Sequence, residues 1–212
     1  MANVTSNRGT RATVWAPLTG VLFVVLTVAS FLIGGEPPDT DDSVREVVEF
    51  YSDNDSRNMI ASVVASLGAV SLVFFAASLR RALRQGEDGA GLLSVVAFGG
   101  GVVAATGIAT DAAIRFALAD VADDIDPVAV QALHAFWSDF FFPMVVGMGL
   151  LLLATSLAAL RTRVIPVWLA WVGIAIFVVF FTPAGFVAFL LSALWVLIVS
   201  VLLYRQERAV AI

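Results

Sequence analysis

Six long apolar stretches dominate the sequence, at roughly 14–34, 58–79, 90–114, 128–160, 164–182 and 183–204. Each is close to or beyond the ~20 residues that an α-helix needs to cross a bilayer. Strands cannot explain them, because an open sheet edge facing lipid leaves its backbone groups unpaired. The pattern therefore predicts an all-α, polytopic membrane bundle: six transmembrane helices in a single integral membrane domain, 1–212. The third and fourth stretches are longer than a bilayer requires, so their ends are expected to tilt or protrude.

Composition narrows the function classes. Hydrophobic residues make up 60% of the chain and charged residues 14%, with a mean hydropathy of +0.95. Soluble domains carry about 25% charge, so this chain cannot solvate its own surface, and a disordered or nucleic-acid-binding protein is excluded with it. There is no cysteine, which removes thiol catalysis, disulfides and thiolate metal sites. The single histidine, His134, cannot build a His-rich centre. Neither haem nor a metal finds enough ligands, so no cofactor is expected.

Orientation follows from arginine, the only basic residue type present. Arg8 and Arg11 precede the first stretch; Arg80, Arg81 and Arg84 follow the second. Arg161 and Arg163 separate the fourth and fifth, and Arg205 and Arg208 follow the sixth. The alternate loops hold Glu36, Asp39, Asp41, Asp42, Glu46, Glu49, Asp53 and Asp55, then Asp120, Asp123, Asp124 and Asp126. The positive-inside rule puts both termini in the cytoplasm. Arg8 and Arg11 before an apolar run resemble a secretory signal. That run, however, is about twice the usual 7–15 residues and lacks an A-x-A site, so an uncleaved first helix is expected.

Local signals refine the spans. Trp15, Trp168 and Tyr204 fall at the arginine-flanked ends, where amphipathic rings favour headgroups. Asp126-Pro127 and Thr182-Pro183 read as N-cap and first helical residue of the fourth and sixth helices. In the first acidic loop, Ser43 and Glu46 have capping-box spacing, and Val44, Val47, Val48 and Tyr51 share one helical face. A short amphipathic helix is expected there, on the outer interface or over the bundle.

Ionisable groups inside a span are costly and mark a buried pair or a functional site. Asp111, Arg115, His134 and Asp139 qualify, all in the outer third of the third and fourth helices. Gly100, Ala104, Gly107, Asp111 and Arg115 share a face, and small residues allow close helix approach. Asp111 and Arg115, at i,i+4, read either as a structural ion pair or as a ligand-binding pair. On the fourth helix Gln131, His134 and Ser138 share a face, with Asp139 on the next. Pro143 cannot donate to the Asp139 carbonyl, so a kink is expected that sets a carboxylate beside a free acceptor. Asp139 and His134 are the catalytic candidates; Asp111, Arg115, Ser138 and Asp139 are the ligand-binding ones. The second helix carries Asn58, Ser62, Ala65, Ser66 and Ala69 on one face, read as packing against the glycine face. Gly99-Gly100-Gly101 and the pair Met144 and Met148 also read as packing.

From Asp111 onward the chain resembles a group of bacterial, mainly actinobacterial, six-helix integral membrane proteins that share a domain of unknown function. The polar outer end of helix four, the leucine-rich run closing at Arg161, and Pro166-Val-Trp168-Leu-Ala-Trp171-Val-Gly173 carry the likeness. It implies the six-helix architecture and a bacterial inner membrane, and transfers no functional residue. Three functions stay open: binding or passing a small amphiphilic ligand at the polar cluster, an acid–base isomerase or cyclase of a lipophilic substrate, and a structural subunit. Candidate partners are membrane lipid, a small lipophilic ligand and a second copy of the chain; nucleic acid is not among them.

Overall fold

Among the described residues, 14–87 and 91–210, the computed structural model contains eight α-helices and no strand. A 3-10 turn, Ala16–Leu18, leads into α1 (Thr19–Gly34). Then follow α2 (Val44–Asp53), α3 (Asp55–Arg84), α4 (Leu92–Val121), α5 (Pro127–Asp139), α6 (Phe142–Thr162), α7 (Val167–Phe180) and α8 (Gly185–Val210). Arg8 and Arg11 lie outside the described residues.

Five helical segments are long and apolar enough to cross a membrane: Ala16–Gly34, Asp55–Arg84, Leu92–Val121, Pro127–Thr162 and Gly185–Ala209. Their outward faces carry large apolar side chains, including Leu32, Phe74, Leu92 and Phe186. A soluble surface does not sustain so much contiguous apolar area. The fifth apolar stretch forms only the 14-residue α7, about 21 Å long against a hydrocarbon core of ~30 Å. Proline sets that limit. Pro166 takes the N-cap position with extended backbone, so residues 163–166 run unwound along α8. There Gln206 donates to the Val164 carbonyl (3.0 Å) and Ile165 is buried. At the far end, α8 begins at Gly185 instead of Pro183. Thr182 does not start the helix; its hydroxyl accepts the Ala184 N–H and donates to the Val179 carbonyl, closing a turn.

The long helices form a closed ring in the order α1, α3, α4, α6, α7, α8, with α8 returning to α1. Phe23, Leu72, Phe75, Met148, Leu151, Trp195 and Val199 fill its centre. The turns at one end carry Arg80, Arg81, Arg84, Arg161, Arg163, Arg205 and Arg208, and those at the other end hold the acidic loops. These are called the arginine end and the acidic end below.

The glycine face of α4 packs on α6, not on α3 as the sequence suggests. A Cβ at Gly147 of α6 would lie 2.1 Å from the Ala104 nitrogen. One at Gly107 would lie 2.7 Å from the Met144 nitrogen, and one at Gly100 2.5 Å from that of Leu151. Backbones meet directly here, which is what glycine permits. Contact with α3 falls on the next flank, where a Cβ at Gly101 would sit 2.5 Å from the Ala76 Cβ. The serines of α3 behave as expected of hydroxyls in an apolar setting. Ser62, Ser66 and Ser71 each donate to their own i−4 carbonyl at 2.9 Å.

Pro143 does more than kink the fourth apolar stretch. The helix stops at Asp139 and restarts at Phe142, with Phe140 N–H folding back onto the Trp137 carbonyl (3.0 Å). Freed from the α6 axis, α5 packs over the acidic ends of α2 and α4. Asp126 caps α5 by accepting the Val128 N–H at 2.8 Å. Ser43 and Glu46 close the capping box of α2, and Val47 and Tyr51 face inward. A second, smaller core results, made of Val47, Tyr51, Leu118, Ala122 and Val130.

Candidate functional site

Five elements meet beneath this second core. From α3 comes Asn58, from α4 Asp111 and Arg115, from α5 His134 and Trp137, from α2 Tyr51, and from the loop after α1 the carbonyl of Pro38. The lone histidine is buried with both nitrogens engaged: Nε2 lies 3.1 Å from the Pro38 oxygen and Nδ1 2.9 Å from the Tyr51 hydroxyl. A carbonyl only accepts, so Nε2 carries the proton. Tyr51 then donates to Nδ1 of a neutral ring. His134 thus fastens both α2 and the preceding loop to α5. Burial pushes the Tyr51 phenol above its ordinary pKa, with Arg115 opposing the shift and Asp111 adding to it.

Arg115 is buried and its Nε donates to Asn58 Oδ1 at 2.9 Å. The expected Asp111–Arg115 ion pair does not form. The ion pairs among the described residues are Arg45–Glu49 and Arg81–Glu207. Instead the guanidinium lies against Gly34, where a Cβ would sit 2.2 Å from Nη2. It also stands 5.6 Å from the Trp137 ring centroid. Arg57 joins it at the same helix end, donating from Nε to the Ile33 carbonyl (3.1 Å). The C-terminus of α1 carries free carbonyls and partial negative charge, and two cations gather there. Two buried donors in the cluster, Arg115 Nη2 and Trp137 Nε1, have no acceptor.

The structure does not bring all the sequence candidates together. Asp111, half-buried, and Arg115 and His134, both buried, border the cluster. Ser138 and Asp139 are exposed at the C-terminal end of α5, outside it. The helix ends right after Asp139, and the two nitrogens of His134 are taken by Tyr51 and Pro38, so the exposed carboxylate has no part in the cluster. Asn58, Tyr51 and Trp137 belong to the cluster, although the sequence reading took Asn58 as a packing residue and Tyr51 as part of an amphipathic helix's apolar face, and did not single out Trp137. The i,i+3 spacing of His134 and Trp137 was the available signal.

A groove opens on the bundle flank one turn from the Asn58–Arg115 bond. It follows the α3–α4 seam, encloses about 370 Å³, and is lined by Ser62, Val63, Ser66, Leu67, Val70, Ala112, Ala113 and Phe116. Small residues form its floor and larger apolar ones its rims. The serine oxygens keep acceptor capacity after donating to their own backbone.

No family model matches the chain, and no curated protein or solved structure shows significant similarity to it.

Proposed function

We propose that the chain is a six-crossing protein of a bacterial inner membrane, with both termini cytoplasmic, that holds an amphiphilic, lipid-like molecule along the α3–α4 seam. The groove beside the Asn58–Arg115 bond carries this reading. It lies toward the acidic end, opens sideways to the apolar surface, and combines an apolar trough with two hydroxyl oxygens. A long hydrocarbon chain fits such a trough, and a polar head then comes level with the cluster. In this reading Asn58, Asp111 and Arg115 are positioning residues. They fix the spacing of α3 and α4 above the groove, and the His134 latch closes the cluster from outside. Charge segregation supports the orientation, and the unwound residues 163–166 lengthen the path of α7 enough for a sixth crossing.

The test is native mass spectrometry of the protein purified in mild detergent. Wild type is expected to retain a discrete small amphiphile. Ala113→Trp, which fills the groove from an exposed position, is expected to lose it at unchanged thermal stability. Asp139→Asn is expected to retain it. A bare wild type, or an adduct that survives Ala113→Trp, refutes the seam as the binding site.

A further inference from the structure

The arginine end holds a second groove, separate from the seam. It is open, encloses about 550 Å³, and lies between the 3-10 turn and the last turns of α8. Leu18, Val201, Tyr204, Arg205, Arg208 and Ala209 line it. Its charge comes from Arg205 and Arg208, both exposed and neither in an ion pair among the described residues.

The last turns of α8 sort their polar groups by face. Glu207, the only acid there, is turned away to form the ion pair with Arg81. Gln206 is tied to the Val164 carbonyl. The two arginines, at i,i+3, are left over the groove with no anion among the described residues paired with them. Beside them the rings of Trp15 and Tyr204 pack with centroids 5.5 Å apart. Amphipathic rings favour headgroup depth. An apolar trough ending in two exposed cations at that depth fits one ligand class.

We propose that this groove binds an anionic diacyl phospholipid from the leaflet at the arginine end. Arg205 and Arg208 take the negatively charged headgroup, and one acyl chain lies along Leu18 and Val201. A zwitterionic lipid also brings a phosphate, but its ammonium then meets the two guanidinium groups. Free phosphate satisfies the charges and leaves the apolar trough unfilled. Each arginine near the surface contributes roughly fivefold to anionic-lipid affinity, so the pair sets a preference of roughly 30-fold.

The experiment uses the full chain in detergent with phosphatidylglycerol, phosphatidylcholine or inorganic phosphate, read by lipid retention in native mass spectrometry. Wild type is expected to retain phosphatidylglycerol over phosphatidylcholine by that factor. Arg205→Gln/Arg208→Gln removes the charges, and Ala209→Trp fills the groove while keeping both. Each is expected to abolish the preference, whereas Arg161→Gln, at the same end but outside the groove, preserves it. Equal retention of the two lipids by wild type overturns the proposal, as does a preference that survives either groove variant. An equal loss in Arg161→Gln overturns it in favour of diffuse charge. Inorganic phosphate displacing the lipid headgroup at millimolar concentration overturns it in favour of a free-anion site.

Discussion

At the scale of single residues, the polar cluster rests on pairings that distance along the chain conceals. Arg115 reaches Asn58 across 57 positions, Tyr51 reaches His134 across 83, and His134 reaches Pro38 across 96. Sequence reasoning located Asp111, Arg115 and His134 because ionisable groups in apolar runs are conspicuous. It could not see which neutral groups answered them, and so it favoured the nearest charge, Asp111, as the partner of Arg115. Tyr51→Phe leaves the His134 Nδ1 acceptor buried without a donor. The expected loss is about 1–3 kcal/mol, measured by thermal unfolding in detergent. The phenol itself gives an independent reading. Burial favours its neutral form in the fold. That contribution is therefore fully present below the ordinary phenol pKa of about 10. It is lost as pH rises through the higher folded value. The chain has two tyrosines, so Tyr204→Phe isolates Tyr51 in a spectrophotometric titration. Its phenolate absorbance should stay low on passing pH 10 while the protein is folded. Titration at the ordinary value in the folded protein contradicts the burial of this hydroxyl.

Among the elements, α2 was legible in full because its signals are local: Ser43 and Glu46 sit three positions apart and the apolar face repeats at helical spacing. The break between α5 and α6 was legible only as a kink at Pro143. Whether a proline bends a helix or ends it depends on what the freed segment can pack against. Here the second core beneath α2 captures α5. Helix partners were equally hidden, since a glycine stripe announces close approach without naming the neighbour. The α4–α6 contact makes a sharp comparison possible. Gly147→Ala forces a methyl group into the Ala104 backbone, and overpacking of that kind costs typically about 1–3 kcal/mol. Gly99, two positions before the α4 residues that meet α3, has nothing within 4 Å of an added Cβ. Gly99→Ala should therefore match or exceed wild type in a melting experiment, and Gly147→Ala should fall clearly below it. Equal melting temperatures for the two variants contradict the packing of α4 on α6. A loss specific to Gly99→Ala contradicts it as well.

For the whole molecule, the apolar runs and the arginine pattern made the helical class and the two opposed ends readable from sequence. They did not reveal that the first and last helices meet, which closes the ring, because ring closure depends on contacts far apart in sequence. Nor did hydropathy distinguish α7 from the longer spans: the stretch is apolar throughout, and Pro166 at one end and the Thr182 turn at the other shorten its helix. The proposed orientation rests on this element, since an odd number of crossings puts the arginine and acidic ends on inconsistent sides. The absence of cysteine from the sequence permits single-cysteine variants without background, at Asp41, Gln85, Arg161 and Thr182, all exposed. Labelling with a membrane-impermeant maleimide is the most direct measurement. The six-crossing account expects positions 41 and 182 to react in intact cells, and positions 85 and 161 only after the membrane is opened. Positions 161 and 182 reacting from the same side would contradict it, because α7 would then not cross.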